Sequence, residues 1–243
     1  MTERIAEASP GLKARIAGGL WLIVIAAASF ALGTVSMLIV RNDAAATANN
    51  ILANESLFRL SFVADLVAVL CYVGVTVLLY ELLKPVSRSL SLLAAFFGLG
   101  GVAFGGPTLL SRLAPLVLLQ GDQYLSVFTT SQLQAMTLTS FKLHGFALWV
   151  SLVLFGVQCF IVGYLIVRST FLPRILGVLL AIGGAGYVIG SFANFLSPSF
   201  GAALSHFVLL AGLVGEGSVT LWLLVRGVNV PRWTEQASSL TRR

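Results

Sequence analysis

The sequence predicts an all-α integral membrane protein, a bundle of six transmembrane helices. Of its 243 residues, 58% are hydrophobic and only 10% are charged, and the mean hydropathy is +0.96. Soluble domains carry about 25% charged residues, so a water-soluble fold is excluded. Six apolar runs are long enough to cross a hydrocarbon core about 30 Å thick, which takes about 20 helical residues. Because lipid offers no partners for backbone polar groups, each run is expected to be a helix.

The six apolar runs form one predicted transmembrane domain, residues 17–225, with a polar tail on either side, residues 1–16 and 226–243. The first run is too long to be the core of a cleaved signal peptide, so it is expected to stay in the membrane as the first helix. The predicted spans are residues 17–40, 60–83, 90–118, 141–167, 175–196 and 203–225.

Lys and Arg residues cluster at one set of helix ends, and this asymmetry predicts the orientation. Eleven of them fall in the two tails and in two short connections, "KPVSRSL" and "RSTFLPR", whereas four fall on the opposite side. Cytoplasmic loops carry the excess of basic residues, so both termini are predicted to be cytoplasmic. Membrane orientation therefore explains the net charge of +6. Because the basic residues form no stripe or single face, nucleic acid is not an expected partner.

The outer connections are longer than the cytoplasmic ones. In the segment "NDAAATANNILANESLFR", Asp43 can cap a helix and apolar residues follow at near-helical spacing. This pattern predicts a short extracytoplasmic interfacial helix between the first two spans. The segment "QGDQYLSVFTTSQLQAM" either extends the fourth span outward or forms a separate turn. Pro107 and Pro115 are expected to bend the third span toward its outer end.

Glu216 is the ionisable side chain predicted nearest the bilayer midplane. It lies ten positions before Arg226, and Gln158 lies ten positions before Arg168. Both side chains are therefore about 15 Å from the cytoplasmic ends of their helices. An ionised carboxylate at that depth costs at least about 2.5–3.5 kcal/mol, so a neutral carboxyl group is expected.

Two interpretations of Glu216 stay open. In the structural one, its protonated carboxyl donates a hydrogen bond to Gln158 or to a backbone carbonyl, a contact worth about 0.6 kcal/mol on average. In the functional one, Glu216 binds a cation, a proton or a polar head group, because ionisable residues within a membrane are commonly functional. Gly215 and Gly217 fit both interpretations, since a missing side chain lets either a helix or a ligand approach closely.

A ring of polar residues is predicted nearer the outer surface, at the ends of several spans. Its members are Asp65, Arg112, Lys142, His144 and His206. If they converge, they form a ligand-binding site for an anionic or zwitterionic molecule; the alternative is that they reach to water or pair among themselves. His144 and His206 are the two histidines of the chain, and a bis-histidine b-type haem between them is a minor alternative.

No motif in the sequence carries recognisable catalytic or cofactor chemistry. Cys71 and Cys159 both lie inside apolar runs, without a CxxC or Cys/His spacing, so neither a metal site nor a disulfide framework is indicated. HExxH, GxSxG and GxGD motifs are missing. The sequence thus favours a protein that is not an enzyme, with no cofactor and no metal.

Four stretches together resemble the bacterial membrane-protein family known as domain of unknown function 4386. They are "DAAATANNILANESLFRLSFVADLVAVLCYV", "VLLYELLKPVSRSLSLLAAFF", "FLPRILGVLLAIGGAGYVI" and "GEGSVTLWLLVRGVNVPRW". The resemblance covers the chain from about Lys13 to Trp233. It implies a six-helix protein of the bacterial cytoplasmic (inner) membrane, and it implies no activity.

The functional prediction is a multi-pass membrane protein that binds or passes a small or lipidic molecule near Glu216 and Gln158. The alternative is a non-catalytic scaffold or accessory subunit, in which this polar pair only joins two helices. The lipid bilayer is the expected partner, with a small-molecule or lipid ligand under the first interpretation; no feature of the sequence specifies an oligomer.

Overall fold

The computed structural model describes residues 9–240, and the regular secondary structure of this part of the chain is helical. Seven of its α-helices form the six predicted spans, and two shorter α-helices and one 3-10 turn at Gln123–Val127 lie outside them. The α-helices are α1 (Pro10–Leu38), α2 (Ala44–Ala53), α3 (Glu55–Leu83), α4 (Arg88–Thr108), α5 (Leu110–Leu119), α6 (Thr130–Arg168), α7 (Arg174–Leu196), α8 (Pro198–Val225) and α9 (Val230–Leu240).

The prediction of an all-α fold with six membrane-crossing helices is confirmed. Six helical segments between residues 9 and 240 are long and apolar enough to cross a membrane. Five are single helices, namely α1, α3, α6, α7 and α8, and the sixth is the pair α4–α5. The protein is therefore a multi-pass membrane protein.

Two helices begin well before the predicted spans because local caps start them outside the apolar run. The Ser9 side chain accepts a hydrogen bond from the Leu12 amide at 3.2 Å, and Pro10 occupies the first turn, where its missing N–H costs nothing. α6 begins at a capping box formed by Thr129 and Gln132. Residues 10–16 of the predicted N-terminal tail are thus helical, whereas residues 1–8 lie outside the described residues.

The six spans pack as a closed ring in chain order. α1 packs against α3, α3 against α4, α4 against α6, α6 against α7 and α7 against α8, and α8 returns to α1. Consecutive spans are therefore antiparallel neighbours. The contact between α6 and α7 is close enough to require glycine: a Cβ on Gly184 would lie 2.5 Å from the carbonyl oxygen of Gly156. Close backbone approach between small residues is the usual basis of helix association in lipid.

The third span is broken where the sequence predicted a bend. Pro107 lies inside the last turn of α4, and the chain leaves the helix at Thr108 before it resumes as α5 at Leu110. Proline removes one helical hydrogen bond and its ring displaces the preceding turn. Beyond this break, α5 carries the buried Arg112.

The connection between the first two spans forms the predicted short helix, α2. Asp43 caps it by accepting a hydrogen bond from the Ala46 amide at 2.8 Å, and Thr47, Ala48 and Ile51 are buried. Both alternatives predicted for the segment before the fourth span occur, because the segment forms a 3-10 turn and then an extension of α6 beyond its apolar run. At 39 residues, α6 is about 58 Å long and exceeds the hydrocarbon core.

The C-terminal residues 226–243, predicted as a polar tail, contain the helix α9. Gly227 has a φ of +67°, a conformation that glycine adopts readily, and it turns the chain from α8 into α9. The Trp233 indole then donates a hydrogen bond to the Leu82 carbonyl at 2.8 Å, which holds α9 against the end of α3. Arg242 and Arg243 lie outside the described residues.

Candidate functional site

Glu216 receives hydrogen bonds from two neighbouring helices. The Trp21 indole of α1 donates to Oε2 at 3.0 Å, and the Tyr187 hydroxyl of α7 donates to Oε1 at 2.8 Å. Trp21 and Tyr187 are buried, and Glu216 is half-buried. The carboxyl group therefore lies where α1, α7 and α8 meet, and each of its oxygens has one donor.

Glycines of α8 shape the surroundings of this carboxyl group. A Cβ on Gly212, one turn before Glu216, would collide with the hydroxyl end of Tyr187. A Cβ on Gly215 would lie 2.7 Å from the Leu179 carbonyl oxygen, whereas a Cβ on Gly217 would meet no atom within 4 Å. Gly212 thus makes room for the Tyr187 hydroxyl, Gly215 lets α7 approach, and the side of the helix at Gly217 is open.

Glu216 has no cationic partner among residues 9–240. The ion pairs in that part of the chain join other residues, and the two donors to Glu216 are neutral. A carboxylate can accept about four hydrogen bonds, so capacity is left for a further donor or cation. No group of three or more His, Cys, Asp or Glu side chains that could hold a metal occurs in the described residues.

Gln158 belongs to a second set of hydrogen bonds, between α3 and α6. Its Oε1 accepts from the Tyr72 hydroxyl at 2.9 Å, and its Nε2 donates to Thr76 Oγ1 at 3.4 Å. The side chain is 2% exposed. Gly98 of α4 makes room for it, because a Cβ there would lie 2.5 Å from the amide of Gln158.

The predicted hydrogen bond between Glu216 and Gln158 is wrong. α7 lies between α6 and α8 in the ring, and the Tyr187 hydroxyl of α7 takes the position at the carboxyl group that the amide was expected to occupy.

The hydrogen-bonded residues around Glu216 and Gln158 together form what we call the polar centre. Four of its residues were not predicted from the sequence, namely Trp21, Tyr72, Thr76 and Tyr187. Each carries one polar group on a side chain that counts as apolar or small, so a search for ionisable and amide groups passes over it. Depth was the available signal: Tyr187 lies thirteen residues after Arg174, about 20 Å along its helix.

The structure brings together three residues of the predicted outer ring, Asp65, Arg112 and His144, and we call this group the outer cluster. Arg112 is 2% exposed, forms an ion pair with Asp65 and donates to Ser61 Oγ at 2.9 Å. The Nε of Arg112 is buried without a partner. His144 Nδ1 is 3.2 Å from the carbonyl oxygen of Thr108, which lies about one helical turn before Arg112.

The other predicted members of the ring do not join this cluster. Lys142 and His206 are exposed. His206 lies on α8 and His144 on α6, and α7 packs between these two helices. The structure therefore does not support a bis-histidine haem site, which requires both rings on one iron.

A polar residue recurs every seventh position along the inner face of α6. The residues are Thr137, His144, Ser151 and Gln158. Seven residues make almost two helical turns, so they share one face at intervals of about 10 Å. The hydroxyls of Thr137 and Ser151 are buried and have no hydrogen-bond partner within residues 9–240. This row connects the outer cluster with the polar centre around Gln158 and was not recognised from the sequence.

A family model supplies the context for these residues. The model described as "Domain of unknown function (DUF4386)" matches residues 16–227. The chain belongs to this family. It is also similar to an uncharacterized protein of Archaeoglobus fulgidus, with 26% identity over 167 residues, which are 69% of this chain and 83% of the relative. No solved structure matches the chain.

Membership of the family agrees with the resemblance seen in the sequence. The matched region begins within the first two turns of α1 and continues past the end of α8. It therefore includes Trp21, Tyr187 and Glu216. The family description carries no activity, and the relative is uncharacterized. Function is therefore to be inferred from the site itself.

Proposed function

We propose that the protein binds, and passes along the interior of its bundle, a small or lipidic molecule that carries a cationic group, with Glu216 as the counter-charge. The observation that carries this proposal is a half-buried carboxyl group in the middle of a membrane-crossing helix, which accepts two neutral donors and pairs with no cation in the described residues. Gln158 orients the polar centre from α6 through Tyr72.

The two hydrogen bonds to Glu216 do not offset the full cost of its negative charge in the membrane. A charged carboxylate near the midplane costs at least about 2.5–3.5 kcal/mol. Two interhelical hydrogen bonds at about 0.6 kcal/mol each offset roughly a third to a half of that. The remainder is removed either by a proton or by a bound cation. Glu216 therefore alternates between a protonated empty form and an ionised form that is paired with its ligand.

Access to Glu216 is proposed from the end of the bundle that carries Asp65, Arg112 and His144. The row of polar residues on α6 leads from this outer cluster to Gln158. The Ser151 hydroxyl lies between His144 and Gln158, the Thr137 hydroxyl lies beyond His144, and neither has a hydrogen-bond partner within residues 9–240. A buried hydroxyl without a partner costs about 1–3 kcal/mol, so the row is expensive unless it is used. His206 supports no part of this path.

The orientation proposed for this path has both termini in the cytoplasm of a bacterial cell and the outer cluster facing away from it. Eleven basic residues on the side of the termini against four on the other support it. Reporter fusions at Asn49, in the connection containing α2, and at the C-terminus test this orientation. The C-terminal reporter is expected in the cytoplasm and the Asn49 reporter outside it, and either the reverse arrangement or a shared location would contradict the proposal.

Replacement of Glu216 by Gln tests the ligand proposal. The purified protein is titrated with sodium, tetraethylammonium and tetraphenylphosphonium chlorides at constant ionic strength, and its thermal unfolding is followed by circular dichroism. At least one of these cations is expected to raise the melting temperature of the wild type and to have no effect on Glu216→Gln. Tyr187→Phe is the matched control, because it removes one donor and keeps the carboxyl group.

A structural role is the second candidate function, and the contacts of α8 favour it specifically. Glu216 joins α8 to α1 and α7 at a place where Gly212 and Gly215 already bring these helices close together. If Glu216→Gln unfolds at a lower temperature than the wild type and no cation distinguishes the two proteins, Glu216 serves as a scaffold contact and the proposed binding is refuted.

A further inference from the structure

A second polar feature lies at the opposite end of the bundle from the outer cluster, where α6 and α8 end. It is a groove of about 460 Å³ between the α6–α7 connection and α9, and we call it the basic groove. Its volume is within the range of about 300–1,000 Å³ that is usual for small-molecule sites. The lining residues are Arg168, Ser169, Thr170, Leu172, Arg174, Arg232 and Glu235.

Specific contacts build the wall of the basic groove. The Gln236 side chain accepts hydrogen bonds from both the amide and the hydroxyl of Thr170, at 3.0 Å and 2.9 Å. The Asn229 amide donates to the Phe171 carbonyl at 3.2 Å. These bonds fasten α9 to the α6–α7 connection. The groove therefore has a defined shape and is more than a surface on which arginines happen to be close.

The basic groove has an excess of positive charge. Its three arginines are exposed, and Glu235 is its one carboxylate among the described residues. Neither Arg168 nor Arg174 forms a salt bridge with a residue in the range 9–240. Guanidinium groups bind phosphate oxygens through two parallel hydrogen bonds. The missing partner of the groove is accordingly an anion, and phosphate has the geometry that suits it.

We propose that the basic groove binds the phosphate of an anionic phospholipid headgroup. The groove lies at the ends of two membrane-crossing helices, at the level where headgroups are found. Directly above it, Tyr164 of α6 and Ile175 of α7 are exposed, so acyl chains pack next to the bound phosphate. Tyrosine is enriched at this level of membranes, and basic pockets between spanning helices bind such headgroups.

Lipid titration of the delipidated protein in dodecyl maltoside tests this site. Phosphatidylglycerol, phosphatidylcholine and inorganic phosphate are compared by thermal unfolding and by native mass spectrometry. Phosphatidylglycerol is expected to bind and to raise the melting temperature, and the other two are not. Arg174→Gln should weaken this binding by about tenfold or more, the usual effect of losing one charge-assisted hydrogen bond.

Two further variants separate a built site from diffuse attraction. Arg88→Gln removes the same charge from an exposed position at the same end of the bundle but outside the groove, so its affinity should stay within twofold of the wild type. Gln236→Ala keeps every charge and releases the wall of the groove, so it should weaken binding.

Three results would overturn the proposal. Equal losses in Arg88→Gln and Arg174→Gln would show attraction to the surface as a whole, and unchanged affinity in Gln236→Ala would show that the groove has no specific shape for the lipid. An equal rise in melting temperature with inorganic phosphate would identify a soluble anion as the ligand.

Arg174 decides the test because its side chain has no hydrogen bond or salt bridge in the described chain, so its removal does not threaten folding.

Discussion

The substitution Gly212→Ala tests whether the hydrogen bond between Tyr187 and Glu216 determines how α7 and α8 pack. A Cβ at position 212 would overlap the hydroxyl end of the Tyr187 side chain. Tyr187 is buried between the helices and cannot swing away without displacing α7. Its hydroxyl is therefore expected to leave Oε1 of Glu216 in the variant.

The cost of Gly212→Ala follows from a steric and a polar contribution. Adding a methyl group to a packed interior costs about 1–3 kcal/mol, and the lost interhelical hydrogen bond costs about 0.6 kcal/mol. Alanine also favours the helix by up to about 1 kcal/mol relative to glycine. Gly217→Ala has this last contribution alone, since no atom lies within 4 Å of its new Cβ. The two variants should thus differ by about 1.5–3.5 kcal/mol, with Gly212→Ala the less stable.

Unfolding in mixed micelles of dodecyl maltoside and sodium dodecyl sulfate, followed by circular dichroism, measures this difference. Tyr187→Phe belongs in the same series, because it removes the hydroxyl without adding volume and should cost only about 0.6 kcal/mol. The expected order of stability is Gly217→Ala, then Tyr187→Phe, then Gly212→Ala. Equal stability of the two alanine variants would refute the close packing of Tyr187 over Gly212.

Two other predictions use the same unfolding measurement. Asp65→Asn leaves the buried Arg112 without its counter-charge and should lower the free energy of unfolding by about 3–5 kcal/mol. Glu55→Gln breaks an exposed ion pair and should lower it by less than about 1 kcal/mol. Similar losses in the two variants would contradict the burial of Arg112. Gly98→Ala places a Cβ against the Gln158 amide and should cost about 1–3 kcal/mol, and a neutral effect would show that this amide lies elsewhere.

Hydropathy predicted the number and order of the spans but not the ends of the helices. The requirement that backbone groups be satisfied in lipid applies only to the apolar part of each helix. Outside it, local chemistry decides, as in the capping box at Thr129 that starts α6 before its apolar run. α9 was not predicted for a related reason, because its residues are mostly polar. It is held in place by single contacts, such as the hydrogen bond from the Trp233 indole to the Leu82 carbonyl.

The polar centre was predicted only in part because a sequence indicates depth along a helix better than direction around it. Helical rise predicts that Glu216 and Gln158 lie at similar depth. The order of helices in the ring then decides which side chains meet, and α7 separates the helices that carry these two residues. Tyr187 became the partner of Glu216 because Gly212 left room for its hydroxyl.

The row of polar residues at every seventh position of α6 supports the proposed binding function independently of Glu216. A scaffold contact is complete when its own hydrogen bonds are formed, as at Glu216 and Gln158. Thr137 and Ser151 have no such bonds, and apolar residues would stabilise the same positions at no polar cost. Ser151 lies about 10 Å from both His144 and Gln158 along the helix. A polar molecule that moves between His144 and Gln158 would meet the Ser151 hydroxyl halfway, and the Thr137 hydroxyl lies one interval beyond His144, at the proposed entrance to the path.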